Sequence, residues 1–422
     1  MKSLLRRNIE LTAPAGSYES LMAAIQGGAD SVYFGVEKLN MRSRSSYNFT
    51  MDDLQEIVSI AKKHKIKTYL AVNTIIYDSE IDHVRHIISK AKQAGIDAVI
   101  VSDQSAILAA RDAGMAIHLS TQLNISNISS LKFYANYADV IVLARELTLE
   151  QVRHITSSVK EQKITGPSGE LVRIELFVHG ALCMARSGIC YLSLHQYHYS
   201  ANRGECLQAC RRAYIVSDKE TGHELEIDSD FIMSPKDLCT IAFIDKILNA
   251  GVTVLKIEGR ARSPEYVRVV ASCYAEAVEA YLTGTYNSEK IRSWETRLAE
   301  VFNRGFWDGY YLGHKTGEWS RIYGSSATKR KKYIARGVKY YSRIKVGEFL
   351  LENDQLSVGD EILIIGPTTG VIQMVVKEIH TDNGPVEKAV KGENFSIPVD
   401  KTVRSSDKLY KLVKTDKPGD IG

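Results

Sequence analysis

The chain has 422 residues, 44% of them hydrophobic and 25% charged, with a formal net charge of +4. That length holds one large domain and a small one, and the composition is that of a soluble globular protein. No window approaches the length needed to span a bilayer, and Met1-Lys2-Ser3-Leu4-Leu5-Arg6-Arg7 leads into a short strand-like run, not an apolar secretory core. The expected location is therefore the cytoplasm. A small basic excess permits a nucleic-acid partner but argues for one only where it is clustered.

From the start to about residue 285, short β-branched runs alternate with amphipathic stretches. The strand candidates are Ile9–Pro14, Ser31–Gly35, Thr68–Asn73, Ala98–Asp103, Ile117–Gln122, Val140–Arg145, Ile174–Gly180, Phe231–Ser234 and Thr253–Glu258. Helical stretches such as Met51–His64, Ile81–Ala94 and Thr148–Lys160 lie between them. Apolar runs separated by helices predict βαβ units and a parallel sheet, most simply a (β/α)8 TIM-like barrel, with a doubly wound open sheet as the alternative. Nine candidates compete for eight places, so one is extra. Polar residues end these runs: Asn73, Asp103, Ser120, Gln122, Arg145, His179, Lys256, Glu258 and Arg260. That is the end of a barrel at which active sites are built.

After Gly180 the rhythm breaks for about fifty residues, and a loop that long in a compact domain is usually functional. This segment, 179–214, carries Cys183, Cys190, Cys206 and Cys210 in a C-x6-C-x15-C-x3-C pattern, while the rest of the chain holds only Cys239 and Cys273. A helix is expected over Ser288–Phe302, then the aromatic run FNRGFWDGYYLG, the two forming a linker over 286–331. From residue 332 to 422, short strands alternate with Gly, Asn and Asp turns, which predicts a small C-terminal β-barrel domain. At this join Lys329, Arg330, Lys331 and Lys332 open a basic stretch that runs to Lys345 without an acid and with tyrosines interleaved. It reads either as a phosphate-backbone footprint or as a solvated strand face.

Clustered thiols in a reducing compartment point to a metal or to redox chemistry. Zinc ribbons use two tight C-x2-C-type knuckles, which this spacing lacks; an iron–sulfur cluster tolerates ligands arriving from separated turns, so the spacing favours a cluster. A Cys183–His179 nucleophile pair is the competing chemistry. Catalytic partners usually come from distant parts of a chain, however, and three further thiols would then be superfluous.

The runs HGALCMARSGICYLS, SANRGECLQACRRAY, MSPKDL and LKIEGR, with LTAPAGS, GADSVYFG, HLSTQ and VLARE upstream in order, resemble the collagenase-like peptidase family U32 across about residues 9–285. The small C-terminal domain also looks like one found in members of this length. Length, cysteine pattern and C-terminal domain are most similar to a branch that hydroxylates tRNA without oxygen. That resemblance implies a 4Fe-4S cluster, prephenate as a required co-substrate, and 5-hydroxyuridine at the tRNA wobble position as the product. Related branches hydroxylate a cytidine of 23S ribosomal RNA or act on ubiquinone, and the family name implies a collagenase-like peptidase. A zinc-stapled binding module is the remaining reading.

Carried over by motif, the expected cluster ligands are Cys183, Cys190, Cys206 and Cys210; Cys239 competes with Cys210 for the fourth place. Arg212 stands where an aromatic often follows the last cysteine and arginine. Because prephenate is a dicarboxylate, Arg42, Arg145 and Arg260, with Lys256, are the expected substrate-binding cations. His179, Glu258 and Lys256 are the candidate catalytic residues, the first two as proton carriers. Lys329, Arg330, Lys331 and Lys332 are the expected RNA contacts, and the expected partners are tRNA and an electron donor protein.

Overall fold

A computed structural model describes residues 6–44, 49–186, 189–212, 214–227, 234–314, 317–320, 322 and 324–415. Seven strands follow one another in parallel: β1 (Glu10–Pro14), β2 (Ser31–Gly35), β3 (Lys67–Val72), β4 (Ala98–Val101), β5 (Ala116–Leu119), β6 (Val140–Val142) and β7 (Arg173–Gly180). The strand Val254–Ile257 pairs in parallel with both β7 and β1, and so closes an eight-stranded barrel. These strands are buried almost throughout because helices such as Asp53–Lys63, Ile81–Ala94 and Leu149–Glu161 cover them outside. Thr148 caps the last of these helices by accepting from the Gln151 amide, in a capping box with the Gln151 side chain. Among the described residues no helix is long and apolar enough to cross a membrane.

Of the nine strand candidates, eight make the barrel. The ninth, Phe231–Ser234, falls mostly outside the described residues. Just beyond it, Asp237–Cys239 runs antiparallel to the end of β7, with Leu238 opposite Gly180 and Cys239 opposite His179, and Phe306–Trp307 pairs alongside. The segment after β7 holds a short helix, Leu192–Tyr197, and a hairpin of Tyr214–Ser217 with Glu224–Ile227.

The barrel interior is polar at its N-terminal end. Glu10 accepts from Arg173 Nη1 at 2.8 Å and from the Tyr69 hydroxyl, with Lys67 Nζ 3.5 Å away. Farther in, Lys256 Nζ donates to Glu175 Oε1 at 2.6 Å with both side chains buried. Such pairs persist because each partner removes the cost of burying the other.

The C-terminal part is an antiparallel β-domain. Its long strand Lys329–Tyr341 pairs with Lys408–Lys414 on one side and Val346–Leu351 on the other, over a core that includes Phe349, Phe395, Ile362 and Leu409. Gln26 joins this domain to the barrel: its Nε2 donates to Thr369 O at 2.8 Å and its Oε1 accepts from Val371 N at 2.9 Å. Gly370, at φ +67°, leaves room for Gln26, whose amide would lie 2.7 Å from any Cβ there.

Burial raises the Glu10 pKa, but Arg173, Tyr69 and Lys67 outweigh it and carry the carboxyl from 4.5 down to about 2. The stabilisation this represents, on the order of 3 kcal/mol, is present above pH 4.5 and is lost as pH falls toward 2. Glu10→Gln should therefore unfold at lower denaturant than wild type at pH 7, with the two midpoints converging as the pH is lowered from 4.5. A gap that stays constant with pH would show that Glu10 does not hold its charge in the folded barrel.

Candidate active site

The C-terminal ends of the strands form a small cavity of about 80 Å³ whose wall carries Arg42, Arg145, Lys256 and Arg260, with Glu258 the one acid among the described residues there. Glu258 follows directly on the closing strand. Its Oε1 accepts from Arg42 Nη2 at 2.7 Å and Nε at 3.1 Å, and its Oε2 accepts from the Tyr33 hydroxyl at 3.1 Å. Burial pushes the Glu258 pKa up, yet Arg42, Arg145 and Arg260 together prevail and hold it at about 2. The carboxylate is thus ionised across the physiological range and acts as a fixed counter-charge.

Two cations in the wall have carboxylate partners, Arg42 with Glu258 and Lys256 with Glu175. Among the described residues Arg145 and Arg260 have no carboxylate within 4 Å. Arg145 stacks 3.8 Å over the Phe177 ring and donates one bond, to Ala181 O. Arg260, 5% exposed, donates to Asn40 Oδ1 at 3.0 Å. The Nε of each is buried without a partner. Desolvated guanidiniums with donors to spare are a receptor for an anion. Across the mouth, Asn73, Ser120 and Gln122 form a hydrogen-bonded chain.

A second cavity, about 350 Å³, adjoins this one and shares Met41, Arg42, Cys183 and Glu258 with it. Cys183, Cys190, Cys206 and Cys210 all line it, as free thiols. The segment is fixed from several sides. Asn202 Oδ1 accepts from Cys190 N, Ser193 Oγ from Leu207 N, and Arg211 donates to Leu182 O and Ser234 Oγ. Gly204, at φ +84°, lies against Asn40, whose carbonyl would sit 2.1 Å from an added Cβ. Asn40 also accepts from Arg42 N and from Arg260, so one residue ties the thiol segment to the cationic mouth.

No group of three or more His, Cys, Asp or Glu among the described residues converges as a ready site for one metal ion. The thiols instead surround a space, with Arg42, Arg186, Arg211, Arg262 and Arg304 in the same wall and the Gln208 amide 3.4 Å from Cys206 Sγ. Four thiols around a cavity, with guanidiniums in its wall and an N–H···S contact at one of them, fit a multi-atom cluster better than one small cation.

The other candidates are placed as follows. His179 is 1% exposed and lines neither cavity; its Nδ1 lies 3.4 Å from the Tyr274 hydroxyl, and burial pushes its pKa down to about 4. Cys239 sits beside β7, opposite His179, and does not line the cavity of the four clustered thiols; burial pushes its pKa up to about 12. Lys329 pairs with Glu300 and Glu361, Lys331 with Glu265, and Lys332 with Asp354. Of that basic run only Arg330 has no carboxylate within 4 Å among the described residues. Sequence reasoning misses Tyr33, Glu175, Arg262 and Arg304. Tyr33 and Glu175 sit inside apolar strands, while Arg262 follows two residues after Arg260 and Arg304 is the third residue of the aromatic run, which are usable signals.

The family model described as Peptidase family U32 matches residues 16–321. A protein of Porphyromonas gingivalis named Collagenase is 57% identical over 410 residues, 97% of this chain and 99% of its own length. The tRNA hydroxylation protein P1 of Bacillus subtilis is 31% identical over 390 residues, covering 91% of this chain and 89% of that protein. A 23S rRNA 5-hydroxycytidine synthase of Escherichia coli is 33% identical over 317 residues, 74% of this chain and 46% of that protein.

The thiol environments give a direct check. In chelator-treated, reduced, folded protein, exposed Cys183 should react with an alkylating reagent at mildly basic pH well before half-buried Cys239 and buried Cys273, whose thiols desolvation raises to about 12. Peptide mass spectrometry should find those two modified only after denaturation. Equal labelling of Cys239 and Cys183 would contradict the placement of Cys239 beside β7.

Proposed function

We propose, for a chain that belongs to peptidase family U32, that it is an RNA-hydroxylating enzyme acting on tRNA, with 5-hydroxyuridine at the wobble position as its product. The observation that carries this reading is the shared wall: four free thiols face a cavity that meets, at Cys183, Arg42 and Glu258, a mouth with two carboxylate-free arginines. Relatives named for tRNA and rRNA hydroxylation support it. Cys183, Cys190, Cys206 and Cys210 would hold a 4Fe-4S cluster, which supplies one-electron chemistry or a binding point for the oxygen donor. An electron donor protein is the partner this chemistry needs.

The chain's own residues do the rest. Arg145 and Arg260 bind the two carboxylates of prephenate through donors that have no partner in the protein. Glu258 keeps Arg42 and Tyr33 oriented toward the junction of the two cavities. With Glu258 held at about 2 and His179 at about 4, the first is a carboxylate and the second a neutral imidazole near neutrality; Glu258 orients its partners, and His179 lines neither cavity and packs against Tyr274.

The 57% identical relative named Collagenase favours a second reading, peptide hydrolysis. The geometry supports it less. His179, the histidine nearest Cys183 in sequence, is turned into the core against Tyr274 instead of lining either cavity with the thiol.

Nucleoside mass spectrometry on tRNA and rRNA from a strain lacking this gene separates these readings. Loss of 5-hydroxyuridine, restored by wild type but not by Cys206→Ala, is the expected result, and Arg260→Gln should raise the prephenate requirement by about tenfold or more. Loss of a hydroxycytidine in rRNA instead would change the substrate and keep the chemistry. Unchanged nucleosides, with collagen cleavage that survives iron removal and is lost on Cys183→Ala, would make it a peptidase.

A further inference from the structure

Beside the cysteine cavity lies a cleft of about 500 Å³ walled by Arg44, Arg211, Arg212, Arg262 and Arg304, with no acid among the described residues of its wall. It shares Cys206, Gln208 and three of these arginines with the cysteine cavity. Through Arg44 and Arg262 it runs on into a larger cleft of about 860 Å³ that reaches the C-terminal β-domain at Lys331, Lys408 and Tyr410 and contains, among the described residues, one acid, Glu19. The result is a single basic track from the β-domain to the edge of the thiols.

How these arginines are held distinguishes them from the lysines of 329–332. Arg262 lies 3.6 Å over the Phe302 ring and Arg304 5.0 Å from it; Arg44 lies 3.8 Å over Tyr199, and Arg212 lies 5.0 Å from the Tyr197 ring centre and donates through Nη1 to its hydroxyl. A ring face holds a guanidinium by its π-cloud and leaves in-plane N–H donors available. Only Arg304 has a carboxylate within 4 Å among the described residues, Asp237 at 3.4 Å. Arg211 is largely committed to Leu182, Ser234 and Pro235. Burial lowers the pKa of Arg262 and Arg304, the latter to about 10, so both are charged at neutral pH yet poorly solvated. Lys329, Lys331 and Lys332, by contrast, each meet an acid and have little charge left for a ligand.

We propose that this arginine cleft seats the phosphodiester backbone of the RNA substrate, and that the lysines of 329–332 do not. Arg44 and Arg212, both exposed, make the outer phosphate contacts; Arg262 and Arg304 make the inner ones beside Cys206. The proposal rests on the RNA reading above and identifies the surface that reading requires. A phosphodiester suits the site because its charge is spread over forked oxygens that match guanidinium geometry, and because the track is elongated.

The test is the salt dependence of tRNA binding by the full-length protein, purified anaerobically with its metal retained. Arg44→Gln/Arg212→Gln should weaken binding and flatten the plot of log affinity against log salt by about 1.4, since each single-strand phosphate no longer neutralised removes about 0.7 from the slope. Arg330→Gln/Lys332→Gln should keep the wild-type slope. Both pairs are solvent-exposed, and unchanged melting temperatures would establish that both variants fold. Wild-type binding that survives in the Arg44/Arg212 variant, or is abolished only in the Arg330/Lys332 variant, overturns the cleft assignment and leaves the RNA reading standing. No salt-dependent tRNA binding by wild type overturns both. Competition by oligoglutamate equal to that by tRNA would assign the cleft to an acidic protein partner and overturn the proposal.

Discussion

A buried, permanently ionised carboxylate organises this molecule. Glu258 ends the strand that closes the barrel, and its backbone is fixed on both sides: its amide donates to His179 O, and its carbonyl accepts from the Tyr266 hydroxyl. Gly180, at φ +106°, has no Cβ because one would stand 2.5 Å from that same carbonyl. A charge so placed survives only among counter-charges, since an isolated buried carboxylate would take up a proton instead. Arg42, Arg145 and Arg260 are therefore requirements of the fold as well as features of the site. The mouth and the cysteine cavity both use Arg42 and Glu258 as wall, so the ion pair that stabilises the closure also separates and joins the two compartments.

How much of this could be read from the sequence follows from where each signal resides. The barrel strands were legible because both of their faces are buried, which leaves uninterrupted β-branched runs between amphipathic helices. Asp237–Cys239 was not, because three residues carry no period, and its pairing with β7 depends on a partner some sixty positions upstream. The cysteines were legible as a group by spacing. That Cys239 does not line their cavity is a consequence of that strand pairing, which spacing does not encode. Tyr33 looked like one more apolar strand residue; only closure of the barrel brings its hydroxyl to Glu258.

The basic run at 329–332 was misleading for a related reason. Counting charges along a chain misses acids that folding supplies from elsewhere: Glu265 on the long helix Pro264–Leu282, Glu300 at the end of the next helix, and Glu361 and Asp354 within the β-domain. The arginine cleft has the opposite character. Its members are dispersed across the sequence at 44, 211, 212, 262 and 304, yet the fold gathers them in one cleft, four of them beside aromatic rings and only Arg304 with a carboxylate within 4 Å among the described residues. Charge patterning in sequence and charge density in space are separate quantities, and only the second attracts a ligand.

This contrast assigns the C-terminal domain a mechanical role. Lys329 and Lys331 bridge to helices of the barrel side, Gln26 reaches into the turn at Thr369–Val371, and Arg268 donates to Val371 O. Polar contacts of this kind contribute little individually, but they act at two separate places, the start of the long strand and the turn at Thr369–Val371, and together restrain the orientation of the domain. Lys408 and Tyr410, on the neighbouring strand, are thereby set opposite Arg44 and Arg262 across the larger cleft. Lys329 and Lys331, each committed to an acid, hold in place the wall of this cleft, and only Lys331 of the two also lines it, so a run of cations can support a basic groove without lining most of it.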